Sequence, residues 1–263
     1  FLTQSAGPMN LGGFLATVLG SDEKHARLQR AKDAIVRGGV DPRSDAQDGR
    51  NNNNEYYREF AMATWNLAYE PAKRMADFVP SVLDRTPAHV LDVACGSGAY
   101  GALIAKKFPK VKVTALDQAV VVPSTRKQLE DFGAVIDRFS FVTGSAFDAL
   151  VPARKFDVVI ISNFIHLFDP KTTIDLLARY KTCLAPGGVL LLNDLVRHDK
   201  PSVTLFDDFS PVEFDFNMVA TTVKGQTYSI PELDAVFKES GLVRVAVKRN
   251  FPFPFTFVAA KSA

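Results

Sequence analysis

Two hydrophobic rhythms divide the chain. Between residues 56 and 79, apolar positions recur at three- and four-residue steps: Phe60, Ala63, Leu67, Pro71, Met75 and Phe78. This stripe predicts an amphipathic helix that Pro71 kinks or restarts and Pro80 ends. From His89 onward, short apolar runs alternate with helical patterns. Strands are expected at 89–94, 111–116, 139–143, 156–162 and 189–193. Helices are expected at about 99–108, 124–132 and 171–184, the last ending at Pro186-Gly187-Gly188. The run Phe-Asp-Val-Val-Ile-Ile-Ser at 156–162 is apolar almost throughout, as suits a parallel strand covered on both faces. A further helix at 231–240 has Pro231 at its first position and Gly241 as its stop. Residues 243–248 and 255–260 then read as a strand pair around a Pro- and Phe-rich turn. Such alternation implies a doubly wound α/β sheet.

The N-terminal part reads differently. Residues 1–20 are apolar with glycines. Residues 21–37 read as a helix with Ser21 as N-cap and Glu23 in its first turn, ended by Gly38-Gly39. Residues 41–54, with Pro, Gly and four consecutive asparagines, read as a solvated loop. A chain opening on Phe1 without a methionine is expected to lack upstream residues.

The chemistry concentrates in Val90-Leu91-Asp92-Val93-Ala94-Cys95-Gly96-Ser97-Gly98-Ala99-Tyr100-Gly101. A strand, a tight glycine loop and a helix N-terminus form a cradle for an anion or nucleotide. Gly96 and Gly98 allow the sharp turn and close approach of a ligand. Two acids sharpen the reading. Asp92 lies inside the strand, where a nicotinamide-binding loop usually has an apolar residue. Asp117 follows the next strand near the spacing of a ribose-binding carboxylate. A glycine turn without ligand and a nicotinamide loop remain alternatives on these residues alone.

Composition narrows the classes. With 47% hydrophobic residues in 263, the chain can bury a sizeable core. Its 31 basic and 29 acidic residues include no basic run, so neither a nucleic-acid nor a membrane surface is expected. Two cysteines, Cys95 and Cys183, suggest no disulfide framework, and no metal site is expected. No signal peptide is recognisable and no apolar run reaches the length of a membrane span. The expected compartment is a reducing cytoplasm.

Asp92-Val93-Ala94-Cys95-Gly96-Ser97-Gly98 resembles the first motif of the class I S-adenosylmethionine-dependent methyltransferases. The rest of the chain, from about residue 54 to the C-terminus, is similar to the plant-type and bacterial small-molecule O-methyltransferases. The resemblance implies a Rossmann-like methyltransferase sheet with an antiparallel last strand, at 84–263. It also implies an N-terminal helical dimerisation segment, at 1–83, and a homodimer. S-Adenosylmethionine is the implied cofactor. Asp92 and the backbone of Ala94, Gly96 and Gly98 would hold its amino-acid end, and Asp117 its ribose diol. Gln118, Ser145, Ala146 and Phe147 would edge the adenine, with Ser162 completing the set. Thr143-Gly144-Ser145-Ala146-Phe147 replaces the family's Gly-Asp-Met-Phe, so the acid facing the adenine is missing. The Gly-Ser-Ala-Phe form occurs in bacterial relatives acting on polyketides.

His166 matches the family's general base, although Leu167 replaces the acid that follows it in the plant enzymes. Asp194 matches a supporting Glu. The insertion between the fifth strand and the last helix walls the acceptor pocket in the family. Here it carries Phe206, Phe209, Phe214 and Phe216, and Asn163, Phe209 and Met218 are the implied acceptor contacts. Lys224-Gly225-Gln226-Thr227-Tyr228 resembles a family turn whose carboxylate has no counterpart in that stretch. The motif of nucleic-acid amino-methyltransferases is missing after the fourth strand. The implied reaction is His-assisted methyl transfer to a hydroxyl of a small aromatic or polyketide-like molecule. The alternatives are C- or N-methylation, a non-catalytic S-adenosylmethionine-binding dimer, or a nicotinamide-dependent oxidoreductase. The oxidoreductase would need an acceptor-site constellation such as Tyr-x-x-x-Lys, which is not found after the strand-and-helix alternation begins at His89.

Overall fold

The computed structural model describes residues 32–34, 36, 55–133, 135–197, 211, 214–215, 217–219, 221–250 and 253–263. Seven strands form one sheet in the order β3-β2-β1-β4-β5-β9-β8. They are β1 (His89–Val93), β2 (Lys112–Asp117), β3 (Phe139–Thr143), β4 (Phe156–Ser162), β5 (Leu184–Asp194), β8 (Leu242–Arg249) and β9 (Thr256–Ser262). The first five run parallel, and β9 runs antiparallel to both β5 and β8. The alternating pattern and the closing antiparallel pair are therefore as expected.

Side chains alternate across the strands, so each strand feeds two cores. Val90, Val158, Ile160, Val189 and Leu191 pack beneath α1 (Glu55–Phe78), α2 (Ala99–Lys107) and α3 (Val122–Phe132). Leu91, Val93, Val159, Ile161, Leu190 and Leu192 pack against α4 (Pro170–Lys181) and α5 (Ile230–Glu239) on the other face. Each helix has a local reason to start or stop. Asp169 caps α4 through the Thr172 N–H at 2.8 Å. Ser229 and Glu232 form a reciprocal capping box on α5, whose first turn carries Pro231 as expected.

Three details add to or differ from the sequence reading. α1 runs uninterrupted through Pro71, which starts no new helix. Pro71 is buried beside Ala72 and Met75, both fully buried, and this packing outweighs the lost backbone bond. The Pro186-Gly187-Gly188 stretch does not stop a helix. α4 ends at Lys181, and these residues form an irregular start to β5 where the β4–β5 register shifts between Phe156 and Val158. Gly187 has φ 68°. A Cβ on Gly188 would lie 2.9 Å from the carbonyl oxygens of Ala185 and Phe156. A two-residue parallel pair, β6 (Val196–Arg197) with β7 (Tyr228–Ser229), was not anticipated.

Lys32, Asp33, Ala34 and Val36 are helical, but most of the expected 21–37 helix lies outside the described residues. So do the 41–54 loop and Phe206, Phe209 and Phe216. Among the described residues, no helix is long and apolar enough to cross a membrane, and no group of His, Cys, Asp or Glu gathers to hold a metal.

Candidate active site

The strand order reverses between β1 and β4, and the crevice at their carboxyl ends is where open α/β sheets take ligands. Two walls flank it. The first is the glycine loop. Ala94 (φ 51°), Gly96 (φ 52°) and Gly98 (φ 78°) are all left-handed, and Gly98 caps α2. Ala94 is a non-glycine residue in this region, at a cost of roughly 1–2 kcal/mol. Gly98 is confined, since a Cβ there would meet Thr125 Cγ2 at 2.8 Å, whereas a Cβ on Gly96 would meet nothing within 4 Å. The loop is tied to β2. The Gly96 N–H donates to Asp117 Oδ2 at 2.7 Å, the Gln118 N–H to Asp117 Oδ1 at 2.7 Å, and the Cys95 N–H to the Leu116 carbonyl at 3.0 Å. Asp92 points from β1 towards α2 and accepts from the Gly101 N–H at 3.0 Å. The segment after β3 joins this wall through the Gly144 N–H, which donates to the Asp117 carbonyl at 2.9 Å. It brings buried Ser145 and Ala146 and half-buried Phe147 alongside.

Both acids are costly to ionise. Burial pushes the Asp92 carboxyl up to about 8; the Gly101 N–H opposes this and the charge of Asp117 adds to it. Burial pushes Asp117 up to about 6 against its two N–H donors. A cation in the crevice would relieve both, whereas a diphosphate would meet two carboxylates. A pH effect follows. The raised Asp92 pKa means that the folded chain holds this proton more tightly than the unfolded chain. That contribution is full below about pH 4 and is lost as pH rises through about 8. The ligand-free protein is expected to melt at lower temperature at pH ~9 than at pH ~5. Asp92→Asn should remove most of a difference on the order of 2–5 kcal/mol. Equal pH slopes for wild type and variant in thermal melts would contradict this.

The second wall is the end of β4. Asn163 takes a left-handed conformation (φ 51°), and a short turn at Ile165–Leu167 follows. That turn brings His166 to Asp194 at the end of β5. His166 Nδ1 lies 2.8 Å from Asp194 Oδ1, with 11% and 4% of the two side chains exposed. The Leu195 N–H also donates to this oxygen, at 2.9 Å. With Nδ1 committed to the carboxylate, Nε2 is the atom left to accept a proton. The His166 carbonyl accepts from the Gln226 N–H at 2.9 Å, which anchors the 224–228 turn to the site. A carboxylate does reach that turn, from outside its stretch: Asp215 accepts from the N–H and hydroxyl of Thr227 at 2.6 and 3.0 Å.

Phe214 sets its ring edge-on to His166, with centroids 4.8 Å apart at 85°. It belongs to the aromatic segment singled out from sequence, but Phe209, preferred there, lies outside the described residues. Met218 is buried on the same helical stretch and accepts from the Thr222 N–H through its carbonyl. Sequence reasoning passed over Tyr100 and Asn193. The detectable signal was a polar Asn ending the otherwise apolar Val-Leu-Leu-Leu run.

Four buried polar atoms lack a protein partner at this end of the sheet: Ser162 Oγ, Asn163 Oδ1, Asn193 Oδ1 and Asp194 Oδ2. All can accept hydrogen bonds, and three can only accept. Together with Asp92 and Asp117 they suit a donor-rich, cationic ligand carrying hydroxyls. The His–Asp pair beside them can remove a proton from a second molecule.

The family described as O-methyltransferase domain matches residues 44–243. The chain is 28% identical over 170 residues to the release factor glutamine methyltransferase of Rhodopirellula baltica, an alignment covering 61% of this chain and 54% of the relative. It is 27% identical over 223 residues to the acetylserotonin O-methyltransferase of Gallus gallus, covering 76% of this chain and 61% of the relative. The chain thus spans little more than half the length of these curated relatives. In fold it is similar to a candidate O-methyltransferase of Nostoc punctiforme. The TM-score is 0.83 at 23% identity, covering 99% of this chain and 75% of that one.

Proposed function

The chain belongs to the O-methyltransferase domain family, and on that premise we propose that it transfers a methyl group from S-adenosylmethionine to a hydroxyl of a small aromatic or polyketide-like molecule. The observation that carries this reading is the buried His166–Asp194 hydrogen bond at the crevice. When bound, S-adenosylmethionine supplies a methyl carbon made electrophilic by its sulfonium.

The chain's own residues do the rest. Asp92 and the backbone of Ala94, Gly96 and Gly98 hold the amino-acid end, Asp117 accepts from the ribose hydroxyls, and Gln118, Ser145, Ala146 and Phe147 border the adenine. Asp117 keeps this capacity although two N–H groups already reach it, because a carboxylate offers about four acceptor positions. Ser162 adds a hydroxyl from the second wall. Asn163 and Met218 line the acceptor side, and the edge-on Phe214 favours an aromatic acceptor. His166 Nε2 takes the acceptor's hydroxyl proton while Asp194 holds the ring and stabilises the imidazolium. Relatives named for O-methylation support a hydroxyl acceptor. The relative named for glutamine keeps N-methylation as the second reading. Calorimetry with S-adenosylhomocysteine and with NAD tests the cofactor. Binding of the first and not the second is expected, and the reverse would overturn the reading.

Residues 1–83 are assigned to the trailing part of a dimerisation domain and residues 84–263 to the S-adenosylmethionine-binding domain. A homodimer is expected in light scattering of the full chain, and a monomer at micromolar concentration would contradict it. Two free cysteines suit a reducing cytoplasm.

A further inference from the structure

On the α2 face of the sheet, the strand residues Val158, Ile160, Val189 and Leu191 are fully buried and apolar. At the crevice end the pattern breaks. Asn193, fully buried, donates from Nδ2 to the Tyr100 hydroxyl oxygen at 2.7 Å. Asn163 is tied to the same point through its backbone: its N–H donates to the Asn193 carbonyl at 2.7 Å. Tyr100 is 5% exposed and stands two residues past Gly98, in the first turn of the helix that the glycine loop starts. Three segments are therefore joined through Asn193: the glycine-loop helix by the Tyr100 hydroxyl, the end of β5 by Asn193 itself, and the left-handed residue after β4 by the Asn163 N–H.

We propose that Tyr100, Asn193 and Asn163 form a brace that holds the two walls of the cofactor cradle at a fixed separation, so that they act as positioning residues for S-adenosylmethionine. This rests on the cofactor reading above. A phenylalanine facing a leucine would fill much the same space without desolvating two polar side chains. The network retained here leaves Asn163 Oδ1 and Asn193 Oδ1 unpartnered, which packing alone does not require. The brace also holds Asn163 in its left-handed conformation (φ 51°) and ends one residue before Asp194, the partner of His166. The spacing of loop to strand end, and of cradle to base, is set at the same place.

The test is S-adenosylhomocysteine binding by calorimetry on folded protein, beside thermal melts. Tyr100→Phe strands a buried amide and should lower the melting temperature and weaken binding about tenfold. Tyr100→Phe/Asn193→Leu removes both buried partners and keeps the Asn193 carbonyl that the Asn163 N–H reaches. In this double variant the melting temperature should largely recover, and binding should stay about tenfold weaker. Wild-type affinity in Tyr100→Phe, or in the double variant, would overturn the brace and reduce the cluster to packing. Failure of the wild-type protein to bind S-adenosylhomocysteine would instead overturn the cofactor reading.

Discussion

Replacement of His166 by glutamine is expected to lower methyl-transfer turnover by ~10²–10⁴-fold, the range for losing a general base, with S-adenosylhomocysteine affinity nearly unchanged. Glutamine is a better probe than alanine because its amide can still donate to Asp194 Oδ1, which His166 now meets at 2.8 Å. Alanine would strand a carboxylate that is 4% exposed and already has one oxygen unpartnered. Stability lost with alanine would confuse the reading; turnover lost with glutamine would not. Turnover within a few-fold of wild type would make His166 a wall residue and leave catalysis to positioning alone.

Replacement of Asp117 by alanine should weaken cofactor binding by ~1–3 kcal/mol, the range for losing charge-assisted bonds at a buried site. The structure supplies a second reason for a large effect. Asp117 accepts from the N–H of Gly96 and of Gln118, so its removal also frees the glycine loop from β2. Asp117→Asn keeps one acceptor and should fall between alanine and wild type. Calorimetry resolves these steps. Affinity equal to wild type in the alanine variant would remove Asp117 from the cofactor site.

The features that could be read from sequence are those that a local pattern determines. The β1–loop–α2 unit announces itself because an apolar strand, two glycines and a helical pattern follow one another within 12 residues, Val90 to Gly101. Asp117 could be singled out because it ends a strand that periodicity locates, at the sheet end where ligands are taken, whereas His166 was singled out by the family resemblance of the segment after β4. Features that depend on contacts distant in sequence escaped. Nothing local to Pro71 shows that burial beside Met75 carries the helix through it. Periodicity likewise assigns Gly187-Gly188 to a turn, whereas β4 recruits these residues into an irregular strand. Tyr100 and Asn193 are 93 residues apart, and each alone reads as ordinary core or strand-end polarity. Asp215 meets Thr227 from 12 residues away, so the turn seemed to lack its carboxylate. Within the insertion, spacing named a set of phenylalanines without saying which one meets the base. Phe214 is distinguished only by the fold.

The central claim is methyl transfer to oxygen assisted by His166. Its most direct test incubates the purified protein with S-adenosylmethionine labelled in the methyl group and a panel of phenols, then locates the label by NMR and mass spectrometry. The label is expected on a phenolic oxygen, with S-adenosylhomocysteine formed in equal amount and both products lost in His166→Gln. A label on carbon or nitrogen, or transfer to oxygen that persists undiminished in His166→Gln, would contradict the account.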